Sequence, residues 1–114
     1  MPDCIFCKII AGEIPGDLVY DDDQVVAFRD IHPVAPTHVL IVPRQHIPSV
    51  SALDSEHEAL AGHMLLVARK LAEQEGIADS GYRLIINAGE HAGQVVPHLH
   101  LHLIGGHKMR YPMG

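Results

Sequence analysis

The chain has 114 residues, of which 47% are hydrophobic and 19% charged, and its formal net charge is −6. This size and composition argue against disorder, and we expect a single domain over residues 1–114. The acidic balance makes duplex nucleic acid a poor partner, because that needs clustered Lys and Arg, but it is compatible with a small anion in a local pocket. No apolar run approaches the roughly 20 residues that span a bilayer, and the start lacks the basic flank of a signal peptide. We therefore expect a cytoplasmic protein with no membrane partner.

The first half of the chain is typical of a short helix followed by three strands. The short helix is predicted over residues 3–13. Residues 18–20 and 24–29 predict two strands around an acidic turn, and therefore a hairpin. Residues 37–42 (THVLIV) predict a buried strand that Pro43 ends.

The second half predicts one long helix between strands. Residues 55–75 have a helical apolar period, and Ser55 and Glu58 have the spacing of a capping box. Its apolar face consists of Leu60, Met64, Val67, Ala68 and Leu71. Residues 82–87 and 97–104 predict two more strands. One long helix with short connections elsewhere favours an α+β domain with a mostly antiparallel sheet.

Histidine is the unusual residue in this composition, with ten copies in the chain. Three of them, His98, His100 and His102, alternate with leucines in the predicted last strand. Successive side chains of a strand point to opposite faces, so the imidazoles share one face and the leucines share the other. The leucine face suits a core, whereas the imidazole face must be wet, bound to a metal, or placed against a ligand.

Three interpretations of the imidazole face are open at this point. A purely structural role is the weakest, because packing alone does not explain three histidines in register. A metal cluster is the second, since imidazole is the commonest transition-metal ligand. The third is an anion site with a histidine nucleophile. Amide side chains and glycines in residues 87–94 could face an anion, and no carboxylate adjoins the histidines, so phosphate chemistry is favoured.

The run HLHLHLI at residues 98–104 resembles the histidine-triad motif of the HIT nucleotide hydrolases and transferases. The likeness extends to CIFCKIIAGEIP, AFRDIHPVAPTHVLIVPRQHI and YRLIINAGEHAGQ in the same order, and so covers almost the whole chain. The tail GGHKMRYP is similar to the Hint branch of the family rather than the Fhit branch. The chain has neither the P-loop motif nor the dinucleotide-binding glycine motif, so a nucleotide site must be built in another way.

The resemblance implies covalent catalysis. His100 would attack the α-phosphorus of a purine nucleoside phosphoramidate, and water would then release the nucleoside 5′-monophosphate from the nucleotidyl-histidine. His102 would donate a hydrogen bond to the phosphate or assist the leaving group. His98 and the upstream His38 would complete the catalytic set. The other nucleotide contacts would come from Asp30 at the ribose, Asn87, Gln94 and the Val95 N–H at the phosphate, and Phe6, Ile9, Phe28 and Ile31 at the base.

Three positions depart from the usual pattern of the family. Val95 stands where many Hint-type proteins carry a serine whose hydroxyl meets the phosphate. Pro97 and His32 stand where an aromatic residue and a serine are common. We expect these changes to affect leaving-group preference and rate, and to leave the triad chemistry intact.

Cys4 and Cys7 form a C-x-x-C pair. Two free thiols are one interpretation, and a redox role is weakly supported because no thioredoxin-like βαβ pattern follows. The resemblance to some bacterial HIT proteins implies a structural zinc bound by Cys4, Cys7, His46 and His98. That zinc would fix the histidine strand and anchor Phe6, which lies between the thiolates, against the base pocket.

The resemblance also implies a fold and a partner. We expect a HIT-like α+β fold with a five-stranded, mostly antiparallel sheet, one long helix and one short helix. It would pair as a homodimer and bring Tyr111 near the partner's active site. A dinucleoside polyphosphate hydrolase or nucleotidyl transferase on the same scaffold is the first alternative. A metal-dependent hydrolase with the triad as ligands and a non-catalytic nucleotide sensor are the others.

Overall fold

The computed structural model describes residues 4–112. Its regular elements are α1 (Ile5–Ile10), β1 (Leu18–Asp21), β2 (Val25–Arg29), β3 (Thr37–Pro43), α2 (Glu58–Gln74), β4 (Tyr82–Ile85) and β5 (Leu101–Gly105), with single 3₁₀ turns at Val50–Ala52, Ser55–His57 and Glu90–Ala92. The strands form one sheet in the order β1-β2-β3-β5-β4, and every neighbouring pair is antiparallel. The predicted α+β class, with a five-stranded antiparallel sheet, one long helix and one short helix, is confirmed.

The central strand β3 is buried along its whole length because the sheet is covered on both faces. On one face Val39 and Ile41 pack in the cluster that contains the apolar side of α2. On the other face Leu40 and Val42 pack with Phe6 of α1. A strand covered on both faces reads as a continuous apolar run, which explains the sequence THVLIV.

The long helix presents the predicted face to the sheet. Met64, Val67, Ala68 and Leu71 are buried, and Leu60 packs at the edge of the same cluster. The leucines of the histidine run, Leu99, Leu101 and Leu103, lie in that cluster and are at most 2% exposed. The odd-numbered side of this run therefore belongs to the core beneath α2.

The start of α2 differs from the prediction, because residues 55–57 form a 3₁₀ turn and the α-helix begins at Glu58. Asp54 is the cap: its Oδ1 accepts the Glu56 N–H at 2.8 Å, and its own N–H donates to His57 Nδ1 at 3.1 Å. The predicted Ser55–Glu58 capping box is therefore wrong. A carboxylate accepts backbone N–H groups more strongly than a hydroxyl does, which places the cap one residue earlier.

The short helix α1 and the last strand β5 are shorter than predicted. In α1 the N-cap is Cys4, whose Sγ accepts the Cys7 N–H at 3.3 Å, and residue 3 of the predicted helix lies outside the described residues. β5 begins at Leu101 rather than at residue 97. The N–H groups just before it donate elsewhere, His98 to Val96 O and Leu99 to Ile47 O, so no ladder forms there.

Two polar links tie α2 to the β1–β2 hairpin. Arg29 makes two hydrogen bonds to the Glu75 carboxylate, at 2.8 and 2.9 Å, and so fixes the end of β2. His63 lies 2.6 Å from Asp22 Oδ2, which also accepts the Tyr20 hydroxyl. Burial raises the pKa of Asp22, but these hydrogen bonds and two from backbone N–H groups outweigh it and hold that pKa well below its usual range. No helix of residues 4–112 is long and apolar enough to cross a membrane.

Candidate functional site

A cavity of about 400 Å³ opens on the α1 side of the sheet. It is bordered by α1, the end of β2, the segment between β4 and β5, and the start of β5. Nine residues singled out in the sequence line it, namely Phe6, Ile9, Phe28, Asp30, Ile31, Asn87, Val95, His100 and His102. Two further lining residues were also noted in the sequence, His32 as a departure from the family pattern and Gly93 as one of the glycines in residues 87–94. The lining residues that the sequence did not single out are Ile5, Pro15, Gly16, Arg29, Leu40 and Val96. Most of these are apolar or glycine, and no short motif marks them.

The His100 ring has one free nitrogen facing this cavity. Its Nδ1 lies 2.7 Å from the His98 carbonyl oxygen, which can only accept, so Nδ1 carries the proton of the neutral ring. Nε2 therefore keeps its lone pair. The edge-on ring of Phe6, with centroids 5.1 Å apart, limits how His100 can turn. A neutral imidazole held in this way can act as a nucleophile.

A second pair of histidines is ordered by a backbone donor. The Val34 N–H donates to His38 Nδ1 at 3.2 Å, so the proton of neutral His38 lies on Nε2. That Nε2–H faces His102 Nδ1 at 3.0 Å, and Asp30 Oδ2 lies 3.4 Å from it. His102 must then carry its own proton on Nε2. This atom is buried and has no partner among residues 4–112, so it is an unsatisfied donor of a residue that lines the cavity.

Both histidines of this pair are neutral at pH 7. Burial lowers the pKa of His38, although the Asp30 carboxylate opposes that effect. Burial, together with the neighbouring His100 and His38, lowers the pKa of His102 to about 4, although the Asp30 carboxylate opposes these effects. His102 is therefore suited to donating a hydrogen bond as a neutral group, rather than to carrying a positive charge.

Cys4, Cys7, His46 and His98, none of which lines the cavity, converge with ligand atoms all within 4.8 Å of one another. Their Sγ and Nδ1 atoms lie 3.3 Å (Cys4 to His98), 3.3 Å (Cys7 to His46) and 3.6 Å (Cys7 to His98) apart. A tetrahedral zinc, with bonds of about 2.3 Å to sulfur and about 2.0 Å to nitrogen, places such atoms about 3.5 Å apart. The donor set and its spacing fit zinc.

The hydrogen bond behind the His98 ring also fits a metal site. His98 Nε2 lies 2.8 Å from the Pro43 carbonyl oxygen, so Nε2 carries the proton and Nδ1 offers its lone pair toward the cysteines. The ring is fully buried. Burial lowers the pKa of His98, and the pKa of Cys7 is raised by burial and by Cys4. Without a metal, these shifts favour the uncharged forms of the His98 ring and the Cys7 thiol.

Asp30, His38 and His102 also bring ligand atoms within 4.8 Å of one another. Their hydrogen bonds oppose a metal there. Ligation through His38 Nε2 would require the proton on Nδ1, where the Val34 N–H already points. The two clusters therefore differ in their fit to a metal. The carbonyl oxygen at His98 Nε2 leaves the Nδ1 lone pair available to an ion, whereas the Val34 N–H at His38 Nδ1 leaves a proton on Nε2.

The segment between β4 and β5 is braced by Gln94. Its amide oxygen accepts the Gly89 N–H at 2.9 Å, and its two N–H groups donate to Pro48 O at 2.7 Å and Val96 O at 3.0 Å. All hydrogens of the amide are therefore used within the protein, and its geometry is that of a brace. Gly93 turns the chain with a φ of +79°, a conformation that other residues rarely adopt.

Predicted site residues thus fall into three places. The cavity holds nine of them, and the Cys/His group holds four. His38 and Gln94 lie behind the cavity wall, where each contacts residues that line it or their backbone neighbours. Phe6 and Phe28 pack edge to face with centroids 5.3 Å apart and form the apolar end of the cavity.

A five-stranded antiparallel sheet with alternating histidines beside a nucleotide-sized cavity defines a histidine-triad protein. A family model described as "HIT domain" matches residues 11–109, and the chain belongs to the HIT family.

Among its relatives is the purine nucleoside phosphoramidase of Escherichia coli K12, with 60% identity over 102 residues that cover 90% of this chain and 86% of that protein. A HIT family hydrolase from Legionella pneumophila Philadelphia 1 has a TM-score of 0.95 and 46% identity, covering 98% of this chain and 100% of that one. A HIT family hydrolase from Clostridium thermocellum has a TM-score of 0.96 and 45% identity, covering 99% and 98%.

The low pKa of His102 predicts a loss of stability in acid. Its folded pKa of about 4 lies below the ordinary 6.5, so the stabilisation is fully present above pH 6.5 and is lost as the pH falls toward 4. The full loss for this one group is about 3 kcal/mol. Urea unfolding of the wild type at pH 7.5 and 4.5 should show it. His102→Asn, which keeps an acceptor for His38 but does not titrate, should lose about 2–3 kcal/mol less over the same range. Equal losses in the two proteins would contradict this assignment.

Proposed function

We propose that this protein hydrolyses purine nucleoside phosphoramidates through a nucleotidyl intermediate on His100. The observation that carries the proposal is that His100, whose Nδ1 lies 2.7 Å from the His98 carbonyl oxygen, lines the cavity together with the aromatic rings of Phe6 and Phe28. The name of the 60% identical relative from Escherichia coli supports the same reaction and the same purine substrates. The protein is thus an enzyme that cleaves P–N bonds.

In the first step the Nε2 lone pair of His100 forms a bond to the α-phosphorus. The P–N bond breaks, and its electron pair leaves with the amine, which takes up a proton from water at the open mouth. The His100 ring then carries a positive charge beside the phosphoryl oxygens, while its Nδ1–H stays bonded to the His98 carbonyl oxygen. Neutral His102 donates its Nε2–H to a phosphoryl oxygen, and such a donor stabilises charge that develops there.

In the second step water attacks the same phosphorus. The P–N bond to His100 breaks, the ring recovers its lone pair, and the proton lost by water balances the one taken up by the amine. The products are the free amine and the nucleoside 5′-monophosphate. Two displacements through a covalent intermediate replace one difficult attack by water, which is the usual benefit of nucleophilic catalysis.

The remaining wall residues suit the other parts of the nucleotide. Phe6, Ile9, Phe28 and Ile31 offer an apolar slot for the purine, and Asp30 at the rim can accept hydrogen bonds from the ribose hydroxyls. Asn87 and Val95 also line the cavity, and the Asn87 side chain and the Val95 N–H would hold the phosphate. Gln94 contributes by bracing this segment, because its amide hydrogens are already used.

The metal-dependent alternative is disfavoured by the direction of the triad rings. His98 Nδ1 faces the cysteines and its Nε2 faces Pro43, whereas His100 Nδ1 faces a carbonyl oxygen. The three rings therefore offer no common point for one ion. We assign the cavity to nucleophilic chemistry and the Cys/His group to a metal.

Removal of the His100 ring tests the mechanism. His100→Gly should lower kcat/KM for an adenosine phosphoramidate by at least about 10³-fold, since no other group here can form the intermediate. Acid quenching of the wild type during turnover should trap one nucleotide per site, and the variant should trap none. His107→Ala, which removes an exposed imidazole that does not line this cavity, is the matched control and should keep both properties. Unchanged turnover by His100→Gly would sink the proposal.

We further propose that Cys4, Cys7, His46 and His98 hold a structural zinc. The ion would supply charge neutralisation and a rigid cross-link between α1 and the triad segment. His98 is the point of contact with catalysis, because its carbonyl oxygen orients His100 while its ring faces the cysteines. Phe6 lies between the two cysteines and packs against the His100 ring, so α1 and the His100 ring are positioned together.

Metal analysis tests this site. Untagged protein should contain one zinc per chain, and chelation should lower Tm by at least about 10 °C because the metal couples to folding. His46→Ala should lose the zinc, whereas His91→Ala, an exposed histidine in a loop, should retain it. Well under one zinc per chain in the wild type would count against the site, whatever the activity.

A homodimer is the quaternary structure we propose. β4 is an edge strand with a free side, and an unpaired edge is a template for a second chain. Large apolar side chains of α2 and the β4 region are exposed, namely Leu65, Leu66, Leu84 and Ile86. Together they form a face that a second copy would cover. Arg83 of β4 donates to the Tyr111 backbone oxygen at 2.9 Å, so the tail containing Tyr111 lies beside this edge and within reach of the partner.

Sedimentation equilibrium tests the dimer. The wild type should sediment as two chains, and Leu66→Glu should shift it to one, because a buried unpaired charge opposes association. Leu18→Glu on the opposite edge strand is the control and should remain dimeric. A monomeric wild type at micromolar concentration would contradict the proposal.

One HIT domain over residues 1–114 and a cytoplasmic location complete the proposal. The family model matches residues 11–109 as one HIT domain. Cys4 and Cys7 are free thiols, and thiolate ligands persist best in a reducing compartment.

A further inference from the structure

The mouth of the cavity is formed by aliphatic side chains. Val95 is 88% exposed and Ile31 is 82% exposed, the highest values among the large hydrophobic residues of the described chain, and both line the cavity. His100, in contrast, is 8% exposed and lies at the floor. The cavity therefore runs from a buried imidazole to an apolar rim.

The chemistry of displacement fixes where the leaving group lies. An in-line attack requires the nucleophile and the leaving atom to stand on opposite sides of phosphorus. With His100 at the floor, the departing amine points outward to the mouth. The purine fills the slot of Phe6, Ile9 and Phe28 on the α1 side, so the amine emerges along the other wall, which is the segment between β4 and β5.

Val95 is the side chain of that wall that is free to meet the amine. Gln94 beside it is committed to Gly89, Pro48 and Val96. Gly93 has no side chain, and Asn87 lies deeper, only partly exposed. An isopropyl group that is almost fully exposed offers no hydrogen bond, but it gains contact when an apolar group covers it.

We propose that Val95 determines leaving-group specificity and that the preferred substrates carry an aromatic or branched aliphatic amine. This inference rests on the proposed phosphoramidase function and names the substrate class within it. An apolar amine that covers the Val95 side chain gains contact, which raises kcat/KM for that substrate. A polar amine finds no hydrogen-bond partner at Val95 and stays hydrated. Discrimination of this kind is modest, about 10-fold for one such contact.

Two adenosine 5′-phosphoramidates test the proposal, one of phenethylamine and one of 2-(2-methoxyethoxy)ethylamine, which are similar in length and basicity. The quantity measured is the ratio of kcat/KM values, with AMP release as the readout. The wild type should favour the phenethylamine substrate by about 10-fold. Val95→Ser should reduce the ratio below about 3-fold, mainly through the apolar substrate, and Val95→Leu should restore it.

Leu18→Ser is the matched control, because it removes an exposed aliphatic side chain away from the cavity and should leave the ratio unchanged. Equal kcat/KM values for the two substrates in the wild type, or a ratio that survives Val95→Ser, would overturn the role of Val95 and leave the phosphoramidase function standing. Release of AMP from neither substrate would overturn the proposed function, and this inference with it.

Discussion

The hydrogen bond between His100 Nδ1 and the His98 carbonyl oxygen is the contact on which the site depends. It places the one proton of a neutral imidazole on the nitrogen away from the cavity, and so leaves the other nitrogen unprotonated. His98 is itself held by Pro43 through Nε2 and faces the cysteines through Nδ1. His98 thus contacts Pro43 of β3, Cys4 of the Cys/His group and the His100 ring. A displacement of Pro43 or Cys4 would therefore also displace the His100 ring.

Backbone partners give chemically identical side chains different roles. A carbonyl oxygen behind a ring nitrogen favours a proton on that nitrogen and leaves the lone pair of a neutral ring on the other nitrogen, as in His98 and His100. A backbone N–H behind a ring nitrogen does the reverse and makes the other nitrogen a donor, as in His38. Because His102 Nδ1 accepts from His38, the proton of His102 lies on Nε2, and burial keeps the ring neutral. Four histidines in one region therefore differ in which ring nitrogen is a donor and which is an acceptor, without any change of residue type.

Local pattern predicted the elements well where burial alone decides them, and less well at their ends. The continuous apolar run of β3 and the helical period of α2 identified both, because a covered strand and an amphipathic helix have distinct patterns. The start of β5 was wrong because Leu99 donates to Ile47, a residue more than 50 positions away that no local pattern reveals. The cap of α2 was wrong because Asp54 competes with its neighbour for the same backbone groups.

The sequence by itself determined which side of the histidine run packs in the core and which side carries the imidazoles. Leucine and histidine alternate along residues 98–103, and such alternation can be seen from adjacent residues alone. The sequence also indicated the HIT family, because motifs that resemble it occur along almost the whole chain. Only the tertiary structure decided the protonation pattern of the rings, the use of the Gln94 amide within the fold and the exposure of Val95 at the rim. Each of these depends on partners that distant segments bring into place, such as Cys4 beside His98, 94 positions apart. Such contacts exist only after the sheet has assembled.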